Sequence, residues 1–248
     1  WCPRGPLLSD GTWDLLKKEL EKLARKHGDV YVRIEPGVPE NEEFIDGKVV
    51  KDCYMPTNTL QVDLEQSEEE ILAQMTQKGR YNIKIADRYK VVIKETRDVN
   101  SFYEILKETA RRDGFHIHEK EFYEDFLNIL GEKARLYGAF IEDEMAGGLL
   151  ATFFGKTATY YFGASAGKHR NAMAPYALQW RAIRDAKKEG FKNYDFLGVA
   201  PEGNEKHVLS GVTQFKTRFG GKRLDYKKPI VLVYRHFWYL LVKLAKKF

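Results

Sequence analysis

Apolar and polar positions change period several times along the chain, and the changes mark out its elements. Ala158, Tyr160 and Phe162 alternate with Thr157, Thr159, Tyr161 and Gly163, which predicts a strand over 157–163. A polar loop is expected over 164–174. Ala177, Trp180, Ile183, Arg184 and Ala186 then recur at three-to-four spacing, the pattern of a half-buried helix over 175–189. Pro175 suits its first turn and Gly190 its end. With a further strand at 192–198, the order strand–helix–strand implies a parallel pair joined by a right-handed crossover.

The same reading extends to both termini. A helix is expected over 10–27, with Trp13, Leu16, Leu20, Leu23 and Ala24 on one face, followed by a strand at 29–34 and an irregular loop at 35–52. Leu60, Val62 and Leu64 predict a strand over 59–64. Ser67-Glu-Glu-Glu70 is a capping box opening a helix to about 89, with Gly79 as its weak point. Next come a strand at 91–96, helices at 99–112 and 119–130, strands at 134–142 and 145–154, and, beyond 198, a helix at 204–218 and a strand at 222–228. A last helix at 234–248 puts Phe237, Leu241, Leu244 and Phe248 on one stripe with lysines opposite. That stripe is expected to pack back on the first lobe, although such a helix also suits a peripheral membrane contact.

The fold class is α/β with mixed sheets, divided into 1–88, 89–229 and a returning tail at 230–248. One strand, two helices, three meandering strands, then helix and strand is the order of the GNAT acyltransferase fold. There two parallel strands splay and the acyl donor enters between them. Two GNAT-like lobes are therefore expected, the first incomplete. The chain starts at Trp1 in Trp-Cys-Pro-Arg-Gly-Pro, which reads as mid-domain sequence.

Composition narrows the classes. The 248 residues, 43% of them hydrophobic, are ample for a real core. A net charge of +5 is compatible with a phosphate-rich partner without demanding one. Cys2 and Cys53 form no disulfide framework, and no signal-like or eighteen-residue apolar run is visible, so a cytoplasmic location is expected. No metal site is expected: His116 and His118 lack a third ligand at suitable spacing.

The candidate chemistry gathers in two places. In Ser165-Ala-Gly-Lys-His-Arg-Asn171, Lys168 and Arg170 stand at a strand end and before a helix N-terminus, where an anion is well placed. An ordinary solvated loop would read alike. In Gln214-Phe-Lys-Thr-Arg-Phe-Gly-Gly221, Lys216 and Arg218 sit near a helix end beside Phe215 and Phe219. They either complement the helix dipole or hold a little-screened cation where negative charge develops.

Six strings then occur in order: Arg80-Tyr-Asn-Ile83, Arg112-Asp-Gly-Phe115, Tyr161-Phe-Gly-Ala-Ser165, Arg170-Asn-Ala-Met-Ala-Pro-Tyr176, Tyr194-Asp-Phe196 and Phe215-Lys-Thr-Arg-Phe-Gly-Gly221. Together they resemble the Fem-type (FemABX) peptidoglycan aminoacyltransferases, from Pro3 to about Tyr234. The chain is similar to the compact, FemX-like members: no heptad-rich arm interrupts Asp113 to Arg135, and the family's early first-lobe segment is absent. The resemblance implies two GNAT-like lobes and transfer of an amino acid from aminoacyl-tRNA to an amine of a UDP-linked or lipid-linked muramyl peptide. It implies no cofactor and no DNA partner. The catalytic lysine falls on Lys216. Arg170, Lys168, Tyr161, Asp195, Phe215 and Arg80 are the expected substrate contacts, Asp195 serving either to orient the amine or to cap a loop. Lys156, Arg218, Lys222 and Arg223 are expected to track the tRNA acceptor end. Two alternatives stay open: an acyl-coenzyme A N-acyltransferase, disfavoured by the single glycine in 167–172, and a non-catalytic protein binding RNA or a membrane surface.

Overall fold

The computed structural model describes residues 1–7, 12–42 and 47–245. Residues 10–11 of the first expected helix, 43–46 of the expected loop and 246–248 of the tail, Phe248 among them, lie outside the described residues. In chain order the elements are β1 (Cys2–Pro3), α1 (Trp13–His27), β2 (Tyr31–Glu35), β3 (Lys48–Val49), β4 (Asn58–Asp63), α2 (Glu68–Gln74), α3 (Gln77–Arg88), β5 (Val92–Thr96), α4 (Val99–Asp113) and α5 (Lys120–Leu130). They continue with β6 (Ala134–Ile141), β7 (Glu144–Phe154), β8 (Thr157–Ser165), α6 (Ala174–Lys188), β9 (Asn193–Gly198), α7 (Ser210–Lys216), β10 (Lys222–Asp225), β11 (Ile230–Val233) and α8 (His236–Ala245).

These elements form mixed α/β structure in two compact units, 1–58 with 224–248, and 59–223. The larger unit begins at Thr59, not at 89. The cause is β4, which pairs antiparallel with β9 and so carries α2 and α3 into the larger unit. Its sheet has the order β10-β4-β9-β8-β7-β6-β5. β5 through β8 form the expected antiparallel meander, and β9 lies parallel to β8 across the α6 crossover. Helices cover both faces. Ile83 of α3 and Ala182, Ile183 and Ala186 of α6 pack with Leu149, Ala151 and Phe153 of β7, while Phe102, Ile105, Tyr123 and Leu127 of α4 and α5 pack with Leu136 and Leu150. Burial on both faces explains why β7 reads as a nearly continuous apolar run.

The smaller unit has the sheet order β1-β2-β11-β3, so the tail strand β11 lies between two strands from the N-terminal part. Ile34, Ile230 and Leu232 are its buried centre, with Trp13 and Leu20 of α1 packed on them.

Three local expectations are corrected. The helix after Ser67 is two helices, and the break falls at Met75 and Thr76, where the Thr76 side chain accepts the Gly79 N–H and caps α3. Gly79 is a packing glycine: a Cβ there would sit 2.3 Å from the Arg218 carbonyl oxygen. The helix expected from 204 starts at Ser210, because His207 Nδ1 accepts the Leu209 N–H at 3.2 Å, a local bond that competes with helix formation. The tail helix is turned the other way from its expected stripe. It buries Tyr239, edge-on to Tyr31 at 5.2 Å, and leaves Phe237, Leu241 and Leu244 exposed.

Candidate active site

The site is made where two parallel strands part. β8 and β9 pair only through Thr157–Asn193, Ala158–Tyr194 and Thr159–Asp195, then separate toward their C-terminal ends. Each carries a bulge at the parting. On β8 the register against β7 moves between Phe162 and Tyr160, leaving Tyr161 as the extra residue. On β9 the register against β4 moves between Asp195 and Gly198, and Leu197 takes a φ of +59°. A bulge bends its strand and increases the local twist, so two of them at one level open a wedge.

The Asp195 carboxylate holds the bulge on β9. It accepts the Leu197 N–H at 2.6 Å and Gln61 Nε2 at 3.0 Å, and the Thr59 hydroxyl reaches both it and the Leu197 carbonyl oxygen. Of the two roles expected for Asp195, capping is the one the geometry displays.

Lys216, the last residue of α7, enters the wedge from the β9 side. It is 6% exposed, donates to the Gly198 carbonyl oxygen at 2.7 Å and stands 5.5 Å over the Tyr160 ring. Burial lowers the pKa of this amine to about 8, against the opposing pull of Asp195. Tyr160 moves the other way, to about 12, chiefly through burial, and so remains a neutral phenol beneath the lysine. Phe215 packs edge-on to Tyr176 at 5.1 Å, and Phe219 stacks on the same ring at 5.6 Å. These rings fix the end of α7 and with it the lysine. One N–H of the ammonium is engaged by Gly198, which leaves two for an oxygen entering the wedge.

The loop after β8 stands at the wide end and is tied to α4. Ser165 exchanges hydrogen bonds with Thr109, its carbonyl accepts from Arg112 at 3.2 Å, and the Gly167 N–H donates to Glu108 at 2.8 Å. Arg170 is exposed on the 3-10 turn Arg170–Ala172 that leads into α6. Lys168 is engaged with Glu144 at 2.5 Å, and His169 approaches the same carboxylate at 3.2 Å.

The remaining expected residues divide. Arg218 donates to the Tyr176 hydroxyl at the start of α6, and Arg223 donates to the Ala200 carbonyl just past β9 at 2.5 Å; Lys222, next to Arg223, is exposed. Tyr161 is half-buried against Phe126 at 5.5 Å. Two do not join the group. Arg80 donates to the Leu72 and Met75 carbonyls and so closes the C-terminal end of α2. Lys156 lies in the turn before β8, at the closed end of the wedge, a strand length of roughly 30 Å from the loop that carries Arg170. Lys156 and Arg170 therefore stand at opposite ends of β8. His118 stacks on Phe122 at 4.0 Å.

Sequence reading missed Thr59, Gln61, Tyr160 and Gln179. Thr59 and Gln61 read as the polar face of a strand. Gln179, 2% exposed, accepts the Tyr194 hydroxyl at 2.6 Å from the buried side of α6. The available signal was Gln179 itself, a polar residue among the apolar positions of a helix.

Comparison with known proteins agrees with this architecture. The chain is 32% identical to the aminoacyltransferase FemB of Staphylococcus epidermidis over 75 residues, 29% of this chain and 18% of that protein's length. It is 20% identical to the lipid II:glycine glycyltransferase of Staphylococcus haemolyticus (strain JCSC1435) over 291 aligned positions, 83% of this chain and 69% of that protein. The crystal structure of FemX superposes with a TM-score of 0.85 at 15% identity, covering 97% of this chain and 82% of that one, which shows a shared fold. The profile of the FemAB family matches residues 52–144 and 140–247, and the chain belongs to that family.

Proposed function

We propose that the protein is an aminoacyltransferase that moves an amino acid from aminoacyl-tRNA to an amine of the peptidoglycan-precursor stem peptide, building an interpeptide bridge in cell-wall synthesis. The observation that carries this reading is the buried Lys216 ammonium in the wedge between β8 and β9. Membership of the FemAB family supports the reaction class, and the names of FemB and the glycyltransferase support the kind of acceptor.

The chemistry needs little from the protein beyond position and charge. The acceptor amine attacks the ester carbonyl, a tetrahedral oxyanion forms, and its collapse breaks the ester C–O bond. The amine's proton leaves and the ribose oxygen departs as a hydroxyl. An ester is already activated, so alignment and oxyanion stabilisation are the main contributions. Lys216 supplies a cation in a site of low water content, where charge is poorly screened. Arg170 at the wide end suits a phosphate of the acceptor. Arg218, Lys222 and Arg223 suit the tRNA backbone, which is read mainly as charge and shape. Dependence on aminoacyl-tRNA implies a cytoplasmic setting.

The test is incubation with a pool of charged tRNAs and a muramyl pentapeptide, nucleotide-linked in one arm and lipid-linked in another, with the product mass measured. A gain of one aminoacyl residue is expected. Transfer from an acyl-coenzyme A instead, or no transfer from any charged tRNA in either arm, would overturn the reading.

A further inference from the structure

The tail helix α8 presents its apolar face outward. At 100° per residue, Leu240, Leu244, Phe237, Leu241, Ala245 and Trp238 follow one another around a continuous arc of about 160°. Every member of that arc is exposed: Phe237 at 68%, Leu240 at 59%, Leu244 at 58%, Trp238 at 53% and Leu241 at 41%, with Ala245 also exposed. The opposite side holds the helix in place. Tyr239 is 6% exposed and meets Tyr31, and the Lys48 ammonium stands 5.6 Å from its ring. An exposed apolar face of this kind needs an occupant.

Charge and size select the occupant. From residue 224 to the C-terminus the sequence carries Lys227, Lys228, Arg235, Lys243, Lys246 and Lys247 against one carboxylate, Asp225. Cations flanking Trp, Phe and Leu are the composition of a helix that lies in a bilayer interface, where a Trp ring sits at headgroup level. A second copy fits poorly. A ten-residue helix is about 15 Å long, so two such faces bury well under the roughly 1,200 Å² of a stable dimer, and they would bring like charges together. We propose that α8 docks the protein on an anionic lipid surface, with Phe237, Trp238, Leu240, Leu241 and Leu244 entering the interface. This goes beyond the transfer reaction proposed above and is tested without it.

The experiment is sedimentation of the intact chain with vesicles of phosphatidylcholine alone or mixed with phosphatidylglycerol, alongside tryptophan fluorescence. The chain should pellet with the anionic vesicles and lose much of that binding in high salt. Lipids brominated on their acyl chains should quench an emission component that Trp238→Phe removes. The double variant Phe237→Ser/Leu241→Ser should bind at least about tenfold more weakly, since both apolar side chains leave the interface. Its thermal midpoint should stay nearly unchanged, because both side chains are exposed on the helix surface. Failure to pellet, or equal binding by the double variant, would overturn the proposal. So would a lipid-free dimer that the double variant dissolves, or a double variant of lowered thermal midpoint, since each means that protein covers the face.

Discussion

Lys216 donates its ammonium to the carbonyl oxygen of Gly198 across 2.7 Å, and Gly198 is the last residue of the strand that leaves its parallel neighbour. The pair joins the end of α7 to the open end of the wedge. It gives a nearly buried cation a fixed position without neutralising it, as a carboxylate partner would.

Asp195 shapes the wedge from the other side, and replacing it separates two effects. Asp195→Asn keeps the size of the side chain but loses the charge that accepts from Leu197, Gln61 and Thr59. A loss of about 1–3 kcal/mol in stability is expected, read by denaturant unfolding. Because Asp195 raises the pKa of Lys216, the variant's lysine should also titrate at a lower pH than in the wild type.

The depressed lysine makes its own stability signature. Its folded value of about 8 lies below the ordinary 10.5, so between those values the unfolded chain binds more protons. Stability should therefore rise with pH across that window, as a penalty of roughly 3 kcal/mol below it is relieved. Lys216→Met should be at least as stable as the wild type at neutral pH, and its advantage should shrink toward pH 10.5. Unfolding midpoints of the two proteins measured at matched pH check this; parallel curves would contradict it.

Arg170 and Lys156 lie at opposite ends of β8 and should behave differently. Arg170→Met should weaken the phosphate-bearing substrate it contacts and lower the slope of log affinity against log salt by about one. Its thermal stability should be unaltered, since the side chain is exposed on a turn. Lys156→Met should leave that affinity in place. Salt titrations of binding to charged tRNA and to the muramyl peptide decide between them.

Much of the fold is legible because period and punctuation agree. The alternation at Ala158, Tyr160 and Phe162, Pro175 and Gly190 locate β8 and α6 within a residue or two, and the order of elements implies the parallel pair. The unit boundary is not legible, because the antiparallel pairing of β4 with β9 joins residues more than a hundred positions apart without a local pattern. The face of α8 is misread for a related reason. A helical stripe says which residues lie together, and only tertiary contacts, here Tyr239 with Tyr31, decide which side is covered. In the site, Lys216 is found through a string of residues that resembles a family. Thr59, Gln61 and Asp195 are brought together by a bulge, and a bulge on β9 leaves no mark in the sequence where Leu197, not glycine, takes the positive φ.

The central claim is that the Lys216 cation stabilises the transition state of aminoacyl transfer. Single-turnover transfer from aminoacyl-tRNA to a muramyl pentapeptide, measured for the wild type and for Lys216→Met, tests it most directly. Loss of one preorganised oxyanion partner should slow transfer about 100- to 1,000-fold, with binding of both substrates little changed and stability not lowered. A Met variant that transfers at the wild-type rate would contradict the account.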